Sequence, residues 1–262
     1  MTTILITGAT DGLGLALAHR LAADGARLIL HGRDPQRLDR VAGELGATPV
    51  LADLADLAQV RRLAAGVRDV TDRLDVLVSN AGIGSGEPDG RQRRVSADGY
   101  ELRFAVNYLA GFLLTRELLP LLQASAPARV VYVASLGQHP LDFDDLMIEH
   151  GYDGQRAYGQ SKLAQIMSGF ELASRLQPGE VTVNSLHPAT YMPTKMVLRE
   201  IGHSVDSLEL GVAATHQLIT SPGLAGVTGK FFDRTREARA DAQAYDPKAR
   251  ALLWTRSIEM IA

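Results

Sequence analysis

Ile4-Leu5-Ile6-Thr7-Gly8-Ala9-Thr10-Asp11-Gly12-Leu13-Gly14 sets a short aliphatic run, a turn with three glycines and the start of a helical pattern in direct succession. The aliphatic run reads as a strand, and the pattern from Leu13 to Ala23, stopped by Gly25, reads as a helix. Gly8 permits the tight turn, Gly12 lets an anionic group approach the backbone, and Gly14 allows the helix to pack closely on the strand. The helix start adds free N–H groups and a positive dipole end, which suits a pyrophosphate. Alone, such a turn serves geometry as readily as binding; its place after the first strand favours binding.

Working outward, the same strand-turn-helix rhythm recurs. Ile4-Leu5-Ile6, Leu28-Ile29-Leu30, Pro49-Val50-Leu51, Val76-Leu77-Val78, Val130-Val131-Tyr132-Val133, Val181-Thr182-Val183 and Lys230-Phe231-Phe232 are seven strand candidates. They read as continuous apolar stretches, as strands covered on both faces do. Asp34 as N-cap with Pro35 at the first helical position opens the helix that follows the second strand. The alternation predicts a Rossmann-type α/β fold, a doubly wound seven-stranded parallel sheet in three α/β/α layers, as one domain over residues 1–262. No repeat or long linker divides it. Two long connections break the rhythm, Gly84 to Gly99 and Gln138 to Gln155, and loops of that length usually carry function.

The bulk numbers agree with this reading and exclude others. The 262 residues are 46% hydrophobic with a net charge of −3, enough for a large core and without a global basic field for nucleic acid or an anionic membrane. Zero cysteines exclude disulfides, thiolate metal sites and a cysteine nucleophile. His139, His150 and His187 lack metal-ligand spacing, so no metal is expected. Arg91, Arg93 and Arg94 read as a solvated loop. The N-terminus enters a strand at once, and no apolar run approaches the roughly 18 residues of a spanning helix. A cytoplasmic protein without a membrane segment is the expectation.

At the end of the second strand, His31-Gly32-Arg33 places an arginine where a dinucleotide fold that prefers NAD carries an acid. A guanidinium suits a ribose 2′-phosphate, which predicts NADP(H) as the preferred coenzyme and leaves NAD(H) open. Asp53-Leu54 after the third strand and Asn80-Ala81-Gly82 after the fourth lie at carboxyl ends of strands, where open α/β sheets bind ligands.

The fifth strand ends at Ser135, and Tyr158 and Lys162 follow at four-residue spacing on one helix face. A phenol titrates near 10 in isolation, and a neighbouring ammonium favours its ionised form, so Lys162 is expected to make Tyr158 a usable acid/base. Ser135 would polarise the substrate oxygen by a hydrogen bond. Asn107, on an intervening helix, would help hold a water that returns the proton through Lys162.

In this order, Thr7-Gly8-x3-Gly12-x-Gly14, Asn80-Ala81-Gly82, Asn107, Ser135 and Tyr158-x3-Lys162 resemble the short-chain dehydrogenase/reductase family, from about Thr3 to about Phe232. Phe143-Asp144-Asp145-Leu146 and Ala157-Tyr158-Gly159-Gln160-Ser161-Lys162-Leu163-Ala164 are similar to its retinol dehydrogenase and WW-domain oxidoreductase branch, many members of which prefer NADP. The resemblance implies a catalytic tetrad of Asn107, Ser135, Tyr158 and Lys162. It implies coenzyme contacts at Gly8, Thr10, Asp11, Gly12, Leu13, Gly14, Arg33, Asp53, Leu54, Asn80, Ala81, Gly82, Tyr158, Lys162, Pro188, Thr190 and Thr194. The chain departs from the pattern at Asp11, where NADP-preferring members are often basic, at Ser79 and at Ala189, where the family usually has glycine.

The function so implied is exchange of a carbonyl and an alcohol on a small molecule. Apolar residues in Thr190–Leu198 suggest a hydrophobic substrate, with substrate-side segments at about 138–157 and 189–210. A redox sensor that binds NADP without turnover and an NAD-dependent dehydratase or epimerase are the alternatives. A homodimer or homotetramer is left open.

Overall fold

The computed structural model describes residues 1–86 and 89–262. The strands β1 (Thr3–Ile6), β2 (Arg27–Gly32), β3 (Thr48–Leu51), β4 (Val76–Ser79), β5 (Ala128–Val133), β6 (Val181–His187), β7 (Lys230–Asp233) and β8 (Arg236–Ala238) form one eight-stranded sheet in the order β3-β2-β1-β4-β5-β6-β7-β8. All pairings among the first seven are parallel, and β8 adds antiparallel to β7. The expected seven-stranded sheet is therefore one strand short. Arg236-Glu237-Ala238 is three residues long and largely exposed, as an edge strand tends to be, and such a segment gives no apolar signal.

Helices cover both faces. α1 (Gly12–Ala23), α2 (Pro35–Leu45) and α7 (Leu208–Thr220) lie on one side; α3 (Leu57–Val70), α4 (Ala110–Ala124), α5 (Gly154–Arg175) and α8 (Pro247–Met260) lie on the other. The two-residue period of a strand divides the sheet between them. Ile4 and Ile6 enter the first core with Leu17 and Leu38, while Leu5 enters the second with Val60 and Leu163. Edge strand β3 alternates half-buried and exposed positions, unlike the fully covered β1 and β4. A short helix, α6 (Lys195–Glu200), stands outside both layers with no buried residue.

The punctuation follows the expected chemistry. The Asp34 carboxylate accepts from Arg37 N–H at 3.1 Å with Pro35 at the first position, and Gly46 ends α2 in the left-handed region at φ 60°. The helical run Phe104–Ala124 is long and apolar enough to cross a bilayer, but 67% of its most apolar window is buried within the fold, as befits a core helix. Its first six residues, Phe104–Leu109, are wound as a π-helix. The Gly84–Gly99 connection includes Glu87 and Pro88, which lie outside the described residues.

Candidate active site

The carboxyl ends of β1, β2 and β4 converge on the glycine turn. Gly8 has φ +67° and Gly12 φ +52°, conformations that favour glycine. A Cβ on Gly14 would stand 2.2 Å from the Gly8 carbonyl oxygen and 2.6 Å from Asn80 Nδ2, so only glycine fits where α1 meets β1. The Leu13 and Gly14 N–H groups at the start of α1 have no acceptor among the described residues. Two free donors at a helix N-terminus, beside a turn whose Gly8 and Gly12 let a ligand approach the backbone, are a donor set that fits a dinucleotide pyrophosphate.

Two residues hold this turn from behind. Asn80 Nδ2 donates to the carbonyls of Thr7 at 2.8 Å and Gly8 at 3.2 Å, while the Thr7 hydroxyl accepts from the N–H groups of Asn80 and Ala81 at 2.9 and 3.0 Å. The other is His31, to which sequence reasoning assigned no role. Its Nδ1 accepts from Gly8 N–H at 3.2 Å and its Nε2 lies 3.1 Å from the Ala52 carbonyl. That pair of contacts requires a neutral ring with the proton on Nε2. Burial pushes its pKa down to about 4, against smaller opposing effects of the Ala52 hydrogen bond and the Asp53 charge. An imidazole inside an otherwise aliphatic strand was the available signal.

Arg33 stands exposed at the end of β2 without a hydrogen-bonding or charged partner among the described residues. Thr10 is half-buried beside it, its methyl 2.6 Å from where a Gly32 Cβ would be. The Asp53 carboxylate accepts from Ala55 N–H at 2.9 Å, and the Leu54 side chain belongs to the core, so only its backbone can face a nucleotide. Thr190 is tied into the protein: its N–H donates to Asp206 at 2.7 Å and its hydroxyl lies 3.1 Å from His187 Nε2. Pro188 directly follows β6, and Thr194 N-caps α6.

The catalytic candidates gather where β5 meets α5. The Ser135 hydroxyl accepts from Gly137 N–H at 3.0 Å and faces the Tyr158 phenol closely enough to favour its ionised form, and Lys162 Nζ lies 5.8 Å from the Tyr158 ring centroid. The ammonium donates to the Val133 carbonyl at 2.8 Å. The expected lowering of the Tyr158 pKa by Lys162 is not what the geometry produces. Burial raises the phenol above its ordinary value, the neighbouring Ser135 hydroxyl opposes this, and the Glu200 charge adds to the rise. Lys162 is itself desolvated and pushed down to about 8.

Asn107 lies on the π-turn rather than on a regular helix. Its Oδ1 accepts from Ile83 N–H at 2.7 Å, and its Nδ2 donates to the Ile83 carbonyl at 3.1 Å and to the Ser161 hydroxyl at 3.0 Å. It thus clamps the post-β4 loop to the helix carrying Tyr158. π-turns cluster at functional sites because the widened turn re-aims side chains.

α6, the candidate flap, is fastened at both ends. Lys195 Nζ lies 2.6 Å from Asp11 Oδ2, and the Glu200 carboxylate accepts from Ser85 N–H at 3.2 Å, Ser85 Oγ at 3.1 Å and Gly86 N–H at 2.8 Å. Beneath that loop, fully buried Arg103 donates to the carbonyls of Gly84 and Ser85 at 2.8 and 2.6 Å. These contacts join residues more than a hundred positions apart on the flap side, and nothing local in the sequence marks them. No cluster of three metal-ligating side chains occurs among the described residues.

A family model described as short chain dehydrogenase matches residues 2–201. The chain is similar to retinol dehydrogenase 14 of Homo sapiens, 34% identical over 293 aligned positions that cover 99% of this chain and 86% of that protein. It is 36% identical to DnrU of Streptomyces sp. (strain C5), named as a candidate daunorubicin C-13 ketoreductase, with 97% and 91% coverage. Among solved structures it is similar to the RhlG/NADP active-site complex of Pseudomonas aeruginosa, with a TM-score of 0.70, 27% identity and coverage of 88% of this chain and 94% of that one.

Proposed function

The chain belongs to the short-chain dehydrogenase family and is an oxidoreductase acting on CH–OH or C=O groups with NAD(P)(H), and we propose that it prefers NADP(H), acts on an apolar small molecule and uses Tyr158 as its acid/base. The observation that carries the proposal is the placement of Tyr158 between the buried Lys162 ammonium, 5.8 Å from its ring, and Ser135, the Ser135 and Tyr158 side chains both lying within 4 Å of where a Gly137 Cβ would be. A bound nicotinamide coenzyme supplies the hydride donor or acceptor.

In the reducing direction, Ser135 donates a hydrogen bond to the carbonyl oxygen and Tyr158 delivers the proton that completes the alcohol. A phenol whose pKa is raised by burial stays protonated at neutral pH, which is the form a proton donor needs. Lys162 holds a positive charge beneath the developing phenolate, and its bond to the Val133 carbonyl fixes where that charge sits. Asn107 keeps the post-β4 loop in register with α5.

Exposed Arg33 beside the glycine turn supports the 2′-phosphate reading, as a planar cation free to take a bidentate partner. Exposed Leu136, next to Ser135, and exposed Tyr191 and Leu198 on the flap segment support an apolar substrate between segments 138–157 and 189–210. A cytoplasmic setting belongs to the same proposal.

The test is oxidation of NADPH and NADH across a panel of apolar aldehydes and ketones, with wild type and Tyr158→Phe side by side. NADPH-dependent turnover reduced about 10²–10⁴-fold by the substitution is the expected result. Equal coenzyme binding by both proteins with no turnover in either direction would favour the sensor instead.

A further inference from the structure

The glycine turn carries an acid, and its nearest cation arrives from the far side of the cleft. Asp11 Oδ1 accepts from Gly12 N–H at 2.8 Å, which fixes the carboxylate and directs Oδ2 outward. Lys195 Nζ meets that oxygen at 2.6 Å, across 184 positions of sequence. Arg37 Nη1 stands 4.0 Å from the same oxygen and its Nε 3.4 Å from Asp34 Oδ2. The Thr194 methyl, one residue before Lys195, lies 3.1 Å from where a Gly12 Cβ would be, so the flap is seated directly on the turn.

Asp11, Asp34, Arg33, Arg37 and Lys195 are the charges at this corner of the cleft, three positive and two negative, a net of +1. A phosphate monoester brings roughly −1.5 to −2 at neutral pH. Without Lys195 the corner is neutral, and without Asp11 it is +2. The side chains of Lys195 and Asp11 are 59% and 44% exposed, so each charge acts through a water-like medium and changes affinity by a few-fold rather than by orders of magnitude. Burial pulls the Asp11 carboxyl up, but its hydrogen bonds to Lys195 and Gly12 N–H and the charges of Lys195 and Arg37 hold it below its ordinary range, so the acid is ionised at neutral pH.

We propose that Lys195 is a coenzyme-specificity residue. By neutralising Asp11 from the flap, it lets a 2′-phosphate share the glycine turn with an acid, and so makes discrimination between NADP(H) and NAD(H) depend on the flap being seated. The inference rests on the NADP(H) reading above. Asp11 alone repels the phosphate; the Asp11–Lys195 pair does not.

Glu200 offers the control, because Glu200→Gln weakens the other fastening of the flap without altering the charges around Asp11. The experiment is equilibrium binding of NADPH and NADH, and of 2′,5′-ADP and 5′-ADP, by calorimetric titration in the absence of substrate. Lys195→Met is expected to lower the NADPH-to-NADH affinity ratio about fivefold, Asp11→Asn to raise it about fivefold, and the double variant to return it near wild type. The 2′,5′-ADP ratio should follow, and high salt should compress all differences. If Lys195→Met weakens both coenzymes equally, as Glu200→Gln is expected to do, the pair is a mechanical fastening only and the inference is wrong. A wild type that binds NADH as tightly as NADPH would overturn the NADP(H) reading, while charge variants that still shift the ratio would uphold the role of Lys195.

Discussion

The side chain of Asn107 grips Ile83 at both of its backbone polar groups, accepting from its N–H at 2.7 Å and donating to its carbonyl at 3.1 Å. The same amide reaches Ser161 at 3.0 Å, so one residue on a π-turn sets the distance between the post-β4 loop and α5. Gly82 stands in that gap, where a Cβ would lie 3.1 Å from Asn107 Oδ1 and 3.5 Å from Lys162 Nζ. Asn107→Leu keeps the volume and removes all three bonds. Stability should fall by about 1–3 kcal/mol, the usual result of leaving buried polar groups unsatisfied, and kcat should fall at least tenfold. A variant that melts lower while kcat holds would confine Asn107 to a structural role.

Lys162 sets an alkaline limit. Burial lowers its pKa to about 8, so the ammonium beneath Tyr158 is present below that pH and lost above it. Reductase kcat/KM in wild type should therefore decline as pH rises through about 8. Lys162→Arg carries a charge that does not titrate in this range. Its activity should be lower at neutral pH, because the longer fork cannot repeat the bond to Val133, but its alkaline limb should move upward. pH–rate profiles of the two proteins decide the point: an unchanged limb assigns the titration to another group.

His31 makes stability acid-sensitive. Its folded pKa is depressed to about 4 from an ordinary 6.5, so between those values the unfolded chain binds the extra proton. Stability from this residue is therefore complete above pH 6.5 and falls as pH drops toward 4. The full difference is about 3 kcal/mol, of which about 2 kcal/mol appears between pH 7 and 5. His31→Asn can still accept from Gly8 N–H but does not titrate. It should be less stable than wild type at pH 8 and lose less on acidification, as read by urea unfolding at both pH values. Parallel losses in the two proteins would exclude His31 as the source.

Much of this site was legible because its parts are local. The glycine turn, Asp34-Pro35 and the Tyr158–Lys162 spacing each occupy a few consecutive residues, and their geometry follows from backbone rules that a short window contains. What escaped depends on contacts between distant segments. Glu200 on Ser85, Lys195 on Asp11 and Arg103 beneath Gly84 are set by how the flap and the loops fold back over the sheet. The direction of the Tyr158 pKa shift was out of reach for a related reason. Spacing predicts that Lys162 lies near Tyr158, but burial, a property of the whole fold, is the largest influence on the phenol and raises it. β8 was missed because an exposed three-residue edge strand carries no hydrophobic pattern.

The C-terminal helix has a stabilising role that can be separated from chemistry. α8 packs against α4 and α5 through Trp254, whose ring meets Phe112 edge-on at 5.0 Å and the Arg175 guanidinium at 4.6 Å. The Tyr108 hydroxyl lies 2.5 Å from Ser257 Oγ, and Tyr100 donates to the Met260 carbonyl at 2.9 Å. Leu253 is the buried anchor of the helix, 1% exposed within the core that includes Phe231 and Leu163. Leu253→Ala removes buried methyl groups and leaves a cavity, which should destabilise the protein by about 2–5 kcal/mol. The glycine turn sits at the end of β1 with α1 on the opposite face of the sheet. Well below the melting temperature, NADPH affinity should therefore match wild type, and a parallel drop in affinity and stability would mean that α8 supports the coenzyme site as well as the core.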